Sequence, residues 1–414
     1  MELLSQDRDR FDQFSPPDLE LFDTILAIHS LMNHIPIWRS VILVFAIAPL
    51  AYYTVAIAAC VRFFRRERRK KLPNFQPPIS LLKPVHGLDF GTRENFESFC
   101  QQSYGQYEIL FCVNDLSDPA VPVIQQLMAD FPRISIRLFS DAQQIGNNRK
   151  VNNLALLARE ARHELLIQTD GDVRVGPDFL REMAAPFADP KVGAISCFYR
   201  GIVQANRWAE IEDIGAVTDL LAGAMVADWK EGVTFALGAA VATTKTWLNK
   251  TGGYEAMADY LADDYEIGHR VYKVGAHVML SREPVSTMYP AQTLRGFWNH
   301  QVRWARTTRL VRPFSYFGMF VTHGLPWTVA AVLCAPTAGM AASYLFAYLV
   351  LRLSLAWTAG VWGLGDDTVR QRLWLVPVRD GIHFFVWIAA FTSNRVHWSG
   401  RDFHIRKGRM IPIE

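Results

Sequence analysis

An α/β domain built on a mostly parallel sheet and flanked by transmembrane helices is the fold class that this sequence predicts, and three observations predict it. Apolar runs of strand type alternate with helical patterns from about residue 75 to 300. Apolar stretches long enough to span a bilayer lie on both sides of that region. The chain of 414 residues is half hydrophobic, only 20% charged and 12% aromatic, which suits one sizeable core plus membrane segments. A net charge of +3 is too near neutral to argue for nucleic acid as a partner. Cys60, Cys100, Cys112, Cys197 and Cys334 show no paired spacing, so neither a disulfide framework nor a zinc site is expected.

Residues 1–40 read as an acidic leader, and 41–62 as the first transmembrane helix, because Val41 to Val61 carries no charge. The apolar stretch starts too far into the chain, behind too acidic a leader, to be a cleavable signal peptide. The run "RFFRRERRKK" follows at once, with Arg62, Arg65, Arg66, Arg68, Arg69, Lys70 and Lys71. Such a flank places the next residues on the cytoplasmic side.

The α/β domain is expected over 75–300. "ISLLKPV" reads as a strand ending at Lys83 and Pro84, and "YEILFCVN" as the next. Asp118 then caps a helix with Pro119 at its first position. "ISIRLFS" is a third strand, followed by a helix from about Lys150; "ELLIQTD" and "VGAISCFY" are two more buried strands. Strands separated by helices imply a largely parallel sheet covered on both faces. The sequence contains no GxGxxG, P-loop or HExxH, so the usual anchors of dinucleotide oxidoreductases, ATPases and zincins are missing.

Three acidic signals are set on this frame. Asp115 and the Asp170–Gly171–Asp172 triplet each follow a strand, and Asp264 comes later in "LADDYEIGHRV". A carboxylate at the end of a buried parallel strand sits at the sheet's carboxyl edge, where open α/β folds bind ligands. Carboxylates one residue apart suit a hard divalent cation that also holds phosphate oxygens. A separate acidic residue is then free to act as a base. Each also has a plain structural reading: Asp115 as a turn cap, DGD as a turn, Asp263 and Asp264 as a helix start favoured by the dipole, and Trp304 as an interfacial anchor.

Residues 294–313 predict an amphipathic interfacial helix, with Phe297, Trp298, Val302 and Trp304 among His300, Arg303, Arg306, Arg309 and Arg312. The region 315–393 then holds two or three membrane segments, roughly 315–336, 340–363 and 373–393, the first two separated by Pro336 and Gly339. The third carries Arg379 and Asp380, which should face protein or a polar cavity. The basic tail, 394–414, argues for a cytoplasmic end. Three full crossings would put it outside, so the third segment is expected to be re-entrant or interfacial.

Taken in order, "LLKPVHG", "CVNDLSDPA", "GNNRKVNNL", "QTDGDVRVGPD", "GGYEAMADYLADDYEIG" and "RWARTTR" resemble the membrane-bound GT-A glycosyltransferases of the ceramide glucosyltransferase type. The bacterial hopanoid-associated glycosyltransferases share the likeness, which runs from about residue 75 to 315 and more weakly through "VHWSGRDFHI". The resemblance implies a GT-A domain and inverting transfer of one sugar from a UDP-sugar to a lipid hydroxyl. It implies glucose and ceramide first, N-acetylglucosamine and a hopanoid polyol as the alternative. The partners implied are the UDP-sugar donor, the membrane lipid acceptor and the bilayer; the cofactor is a divalent cation, Mg²⁺ or Mn²⁺.

Carried over by position, Pro84 and Asp115 match the nucleotide pocket, with Asp115 on the uracil or ribose. Lys150, Asn152 and Asn153 match the Lys-and-Asn motif beside the donor. Asp170 matches the second family aspartate, and Asp172 supplies the other half of a DxD-like metal site. Asp264 matches the catalytic aspartate, and Arg303 with Trp304 the end of the (Q/R)xxRW motif. His300 stands at the first position of that motif, with Gln301 beside it. Thr244, next to Lys245, stands where the family has an Arg, a change that could alter donor or acceptor contacts. A processive polysaccharide synthase would need a larger membrane channel than three or four spans provide. A non-catalytic scaffold would not need Asp115, Asp170, Asp172, Asp264 and Arg303 together.

Overall fold

The computed structural model describes residues 36–413. The leader expected over 1–40 therefore lies almost wholly outside the described residues.

The chain enters through α1 (Ile37–Phe45) and α2 (Ile47–Arg69), one apolar run of 33 residues from Ile37 to Arg69. The α/β domain follows as β1 (Ile79–Pro84), α3 (Thr92–Cys100), β2 (Tyr107–Cys112), α4 (Ala120–Asp130), β3 (Ser135–Phe139), α5 (Arg149–Glu160), β4 (Leu165–Thr169), β5 (Val173–Arg174), α6 (Phe179–Ala184) and β6 (Val192–Val203). It continues through α7 (Arg207–Gly215), a π-helical turn over Ala216–Leu220, α8 (Leu221–Glu231), β7 (Ala240–Thr244), α9 (Lys245–Lys250), α10 (Asp263–Lys273) and β8 (His277–Tyr289). Then come α11 (Leu294–Val311), α12 (Pro313–Gly318), α13 (Gly324–Cys334), α14 (Ala338–Ala356), α15 (Asp367–Arg372) and α16 (Val376–Ala390). The tail forms β9 (Arg395–Trp398), β10 (Arg401–Arg406) and β11 (Arg409–Pro412).

Eight strands form the main sheet in the order β3-β2-β1-β4-β7-β6-β8-β5. The four first strands, β3, β2, β1 and β4, run parallel. β7 is antiparallel to both β4 and β6, while β6 and β8 are parallel. The sheet is thus mixed but mostly parallel, as the strand–helix alternation implies. β7 and β8 escape the sequence reading because Ala and Thr give a weak strand signal and charged Arg282 and Glu283 interrupt β8.

Alternation within a strand divides the core into two faces. Ile79 and Leu81 of β1 pack with Phe96, Phe99 and Ile124 on one side. Leu82 packs with Val151, Leu154 and Leu157 of α5 on the other. A third core joins membrane and domain: Phe63 and Phe64 of α2 pack with Phe198 of β6, Ile214 of α7 and Leu355 of α14. The α/β domain is therefore welded to the membrane helices, not tethered to them. Helix α4 begins one residue later than the capping pattern predicts. Pro119 takes the cap position, and the Asp118 carboxylate still accepts from Ala120 N at 2.9 Å.

Ile37–Arg69, Ala338–Leu364 and Asp367–Ala390 are each long and apolar enough to cross a membrane, and α12 with α13 would make a fourth segment bent by 43°. The break between α13 and α14 falls around Pro336, as expected. Packing orders these segments. Leu43 and Ala46 meet Ala331 and Cys334 at one end. At the other, Arg68 donates to Trp362 O at 2.5 Å and Arg200 to Leu364 O at 3.0 Å. So α13 leads away from the α/β domain and α14 returns to it. The third segment is tied to the domain at both ends: Arg372 pairs with Glu210 at 3.1 Å, and Arg309 donates to Ser393 O at 3.1 Å. Asp380 is buried against Arg352 and Tyr348, which bears out the expectation that its charge faces protein. All five cysteines are free and buried.

Candidate active site at the carboxyl edge of the sheet

β1, β2 and β4 are parallel and in register, so their C-terminal ends reach one edge together. Lys83 and Pro84 end β1, Asn114 and Asp115 follow β2, and Asp170 to Asp172 follow β4. Asn148 caps α5 by accepting from Val151 N at 3.2 Å, which sets Lys150 in the first turn above that edge.

Lys150 ties the site together. Its Nζ lies 2.6 Å from Asp170 Oδ1 and 3.2 Å from Asp263 Oδ2. Burial alone would pull the ammonium down, but the Asp170 and Asp263 carboxylates outweigh it and hold its pKa well above the usual lysine range. Asp264, the next residue of α10, accepts no hydrogen bond from a cation. Burial, then the neighbouring Asp263 charge, push its carboxyl up to about 7, against the pull of Lys150. Gly238 makes room for it, since a Cβ there would stand 2.8 Å from Asp264 Oδ2. Gly268 lets α10 approach closely enough, a Cβ there falling 2.1 Å from Ala236 N.

Asp172 is raised to about 7 by burial and then by Asp170 and Asp89. Under it, fully buried Lys83 donates to Thr169 Oγ1 at 2.9 Å and Asp170 O at 3.0 Å. Burial lowers Lys83 to about 7, although Asp170 and Asp172 oppose the change. Asp89, Asp170 and Asp172 thus lie near one another, burial and then the Asp170 charge raising the carboxyls of the other two, with Lys83 and Lys150 the cations beside them.

The opposite wall comes from α7 and α11. His300 Nδ1 is hydrogen-bonded to Glu212 Oε1, and Gln292 donates to Glu212 Oε2. Burial would raise the Glu212 carboxyl, but these partners hold it below its ordinary value. Arg303 lies one turn beyond His300; burial lowers its pKa and Glu212 offsets part of that. The His300 and Trp304 rings are 5.3 Å apart, and Trp304 is 39% exposed. The buried Tyr199 phenol feels both groups of carboxylates: burial and then Asp264, Asp170, Glu212 and Asp172 hold it well above the ordinary tyrosine range.

The remaining residues singled out in the sequence divide. Asn153 donates to Asn114 Oδ1 at 3.3 Å, facing the Asp115 loop. Asn152 turns back to its own loop, accepting from Gly146 N at 3.2 Å. Asp115 is exposed and caps its turn, accepting from Ser117 N at 2.7 Å, an arrangement that lowers its pKa through the Ser117 hydroxyl and amide. Pro84 is buried at the strand end beside Gly171. Gln301 is buried, so His300 alone of that pair faces Glu212. Thr244 requires a correction. It pairs with Leu165, at the start of β4, and caps α9 by accepting from Trp247 N. Lys245 beside it donates to Ala161 O at 2.5 Å. Both lie at the edge of the sheet away from the carboxylates and touch neither wall.

α11 also differs from a helix lying free in the interface. Phe297 packs against Trp208 with its ring tilted, and Arg306 and Arg309 donate to Arg395 O and Ser393 O. Its basic face is used to hold the end of α16 and the tail. Sequence reasoning did not find Asp89, Glu212 or Lys83 as site residues. Asp89 lacks a strand before it, Glu212 sits mid-helix in "EIEDIG", and only the burial of Lys83 distinguishes it from an ordinary lysine. The tail sheet was also missed: Met410 N donates to Asp259 O at 2.7 Å and Asn147 Nδ2 to Met410 O at 3.1 Å, bracing the loop before α10.

A mostly parallel α/β sheet, clustered carboxylates at its carboxyl edge, and a wall supplied by helices that continue into apolar segments define a membrane-associated glycosyltransferase of the GT-A class. Residues 41–411 match the model of Glycosyl transferase family 21, and the chain belongs to that family. It is similar to ceramide glucosyltransferase 1 of Caenorhabditis elegans, at 24% identity over 371 residues covering 87% of this chain and 78% of the relative. Ceramide glucosyltransferase 3 of the same organism is 23% identical over 379 residues, covering 87% and 80%. Among solved structures, a mannosyltransferase from Pyrobaculum calidifontis in complex with GDP-Man and Mn2+ aligns at a TM-score of 0.49 and 17% identity, over 84% of this chain and 97% of that one.

Proposed function

We propose that this protein moves a single sugar, glucose in the first instance, from a UDP-sugar to the hydroxyl of a membrane lipid, ceramide in the first instance, with inversion at the anomeric carbon. The observation that carries the reading is Asp264: a buried carboxyl raised to about 7 and left unpaired, next to Asp263, which with Asp170 shares the Lys150 ammonium. A base poised near the working pH suits removal of a proton from an attacking hydroxyl. The relatives' names supply the lipid and the sugar, and the hopanoid alternative gains no support from them.

The parts divide as follows. Asp115, Pro84 and Asn153 lie along the strand-end loops where the nucleotide would rest. Arg303 offers a planar fork to diphosphate oxygens, and His300, oriented by Glu212, a further donor. Lys150 orients Asp170 and Asp263 by ion pairs and leaves Asp264 free to take the acceptor's proton. No group of three or more His, Cys, Asp or Glu stands ready to enclose a metal among the described residues. Asp172 with Asp170 nonetheless fits Mg²⁺ or Mn²⁺, because burial and the neighbouring Asp170 and Asp89 charges disfavour the Asp172 anion, which a cation would offset, and such a cation takes one or two carboxylates plus substrate phosphates. When bound, it neutralises charge on the leaving diphosphate.

The same reading places the α/β domain on the cytoplasmic face, behind the basic end of α2. Three crossings, by α1–α2, by α12–α13 and by α14, return the chain to that face, and α15–α16 lies against the domain. The test is transfer in nanodiscs containing ceramide, with UDP-glucose and Mn²⁺, read by mass spectrometry of the lipids. Glucosylceramide is expected, lost in EDTA and absent with UDP-N-acetylglucosamine. UDP release without any lipid glycoside would overturn the proposal; full activity in EDTA would remove the cation from it.

A further inference from the structure

A concavity lies away from the carboxylates, where the domain meets the membrane helices. It is a partly open hollow of about 460 Å³, the solvent-open space at its mouth included, between Tyr53 of α2, Asp219 of the π-helical turn, His323 before α13, Arg352 of α14, and Asp380 and His383 of α16. Its polarity is unusual for that depth. Ionisable groups among apolar helices are costly and are retained where they pair or bind something.

Here some pair and some do not. Arg352 Nε and Nη2 are satisfied by Asp380 and Asp219, the latter at 2.6 Å. Arg352 Nη1, His323 Nε2 and Asp219 Oδ2 are buried without a hydrogen-bond partner, although Arg352 is 2% and His323 7% exposed. The cavity therefore offers one donor, one acceptor and an imidazole nitrogen that donates or accepts according to its tautomer. Its formal charges balance: Arg352 and Arg379 stand against Asp219 and Asp380, with Arg379 Nη2 3.6 Å from Asp219. A phosphate would be uncompensated there. A neutral head that both donates and accepts, such as hydroxyl and amide groups, would satisfy all three orphaned atoms.

The cavity is also joined to the Glu212–His300 wall of the site. Glu212, which holds His300, and Asp219 lie on one continuous helical rod, seven residues or about 10 Å apart along it. Arg379 packs against Gly215 between them, where no Cβ could fit.

We infer that this cavity binds the neutral, hydroxyl- and amide-bearing head of the lipid acceptor and presents it to Asp264. The inference rests on the lipid-acceptor reading above. A ceramide carrying a diazirine next to its amide should, in nanodiscs, label peptides containing Tyr53 or residues 319–324; unlabelled ceramide should compete and phosphatidate should not. Ala222→Leu fills the cavity without removing a charge, and His323→Leu removes the orphaned imidazole nitrogen; Ala222 is 1% exposed and lines it. Both variants should raise the KM for ceramide at least tenfold while leaving UDP-glucose affinity and acceptor-free UDP release unchanged. Labelling elsewhere, equal competition by phosphatidate, or an unchanged ceramide KM in a folded variant would overturn the inference. The labelling arm needs no variant to fold. An inactive wild type would instead sink the proposed function, so the two failures are distinct.

Discussion

Replacing Lys150 by Met keeps the length of the side chain and deletes the one cation shared by Asp170 and Asp263. The Asp170 partner is 37% exposed, so solvent screens that pair and it contributes little. The Asp263 partner is only 8% exposed, and leaving a buried carboxylate unpaired costs about 3 kcal/mol. The kinetic effect is more diagnostic. Lys150 pulls the Asp264 carboxyl down against burial and Asp263, and the balance stands at about 7. Without Lys150 the carboxyl should rise by about one unit. A base works only when ionised, so the acid limb of the kcat/KM profile should move to higher pH, and activity at pH 7 should fall about fivefold beyond any loss in the plateau. Asp263→Asn should move the same limb to lower pH, because it removes the charge that raises Asp264. The profiles are measured from pH 5.5 to 9 with saturating ceramide. A limb that stays in place in Lys150→Met, or moves the same way in both variants, would refute the coupling and with it the assignment of Asp264 as the base.

Asp264→Asn should abolish transfer while UDP-glucose still binds. The folded carboxyl titrates at about 7, above its unfolded value near 3.9, so the native state loses stability as pH rises through that window. The variant should therefore melt higher than wild type at pH 8, and the gain should shrink toward pH 4; an equal Tm at pH 8 would contradict the burial argument. Arg303→Lys keeps charge but loses the planar fork, and turnover should drop on the order of a hundredfold with membrane association unchanged; wild-type turnover would make Arg303 an anchor only. Phe403→Ala empties the core of the tail sheet, which packs against Leu261. Hydrogen exchange should rise in residues 258–261 and turnover should fall; unchanged exchange there would show that the tail does not brace α10.

The order of Asp115, Asp170, Asp172, Asp264 and Arg303 was legible because each follows a local signal: a strand end, a Gly-centred turn, a helix start, a basic helical face. Asp89 and Glu212 were not, since their importance is a matter of which carboxylates become neighbours after folding. Thr244 shows the converse. Alignment by motif placed it near the reaction, and the antiparallel pairing of β7 with β4 carries it to the opposite edge.

The third apolar segment shows the same division. Composition alone allows Asp367–Ala390 to cross a bilayer, and the basic tail alone says that it should not. The fold ties its two ends to neighbouring segments, Arg372 to Glu210 at one and Arg309 to Ser393 O at the other, contacts that neither composition nor charge announces. What the sequence determined by itself was periodic and local: strand and helix alternation, apolar lengths, and acidic residues at strand ends, all set by interactions within a few residues. What only the tertiary structure decided was electrostatic and topological. The elevated carboxyls of Asp172 and Asp264, the bridging role of Lys150 and the polar cavity around Arg352 arise where distant segments share a poorly solvated space, and desolvation has no signature in the order of residues.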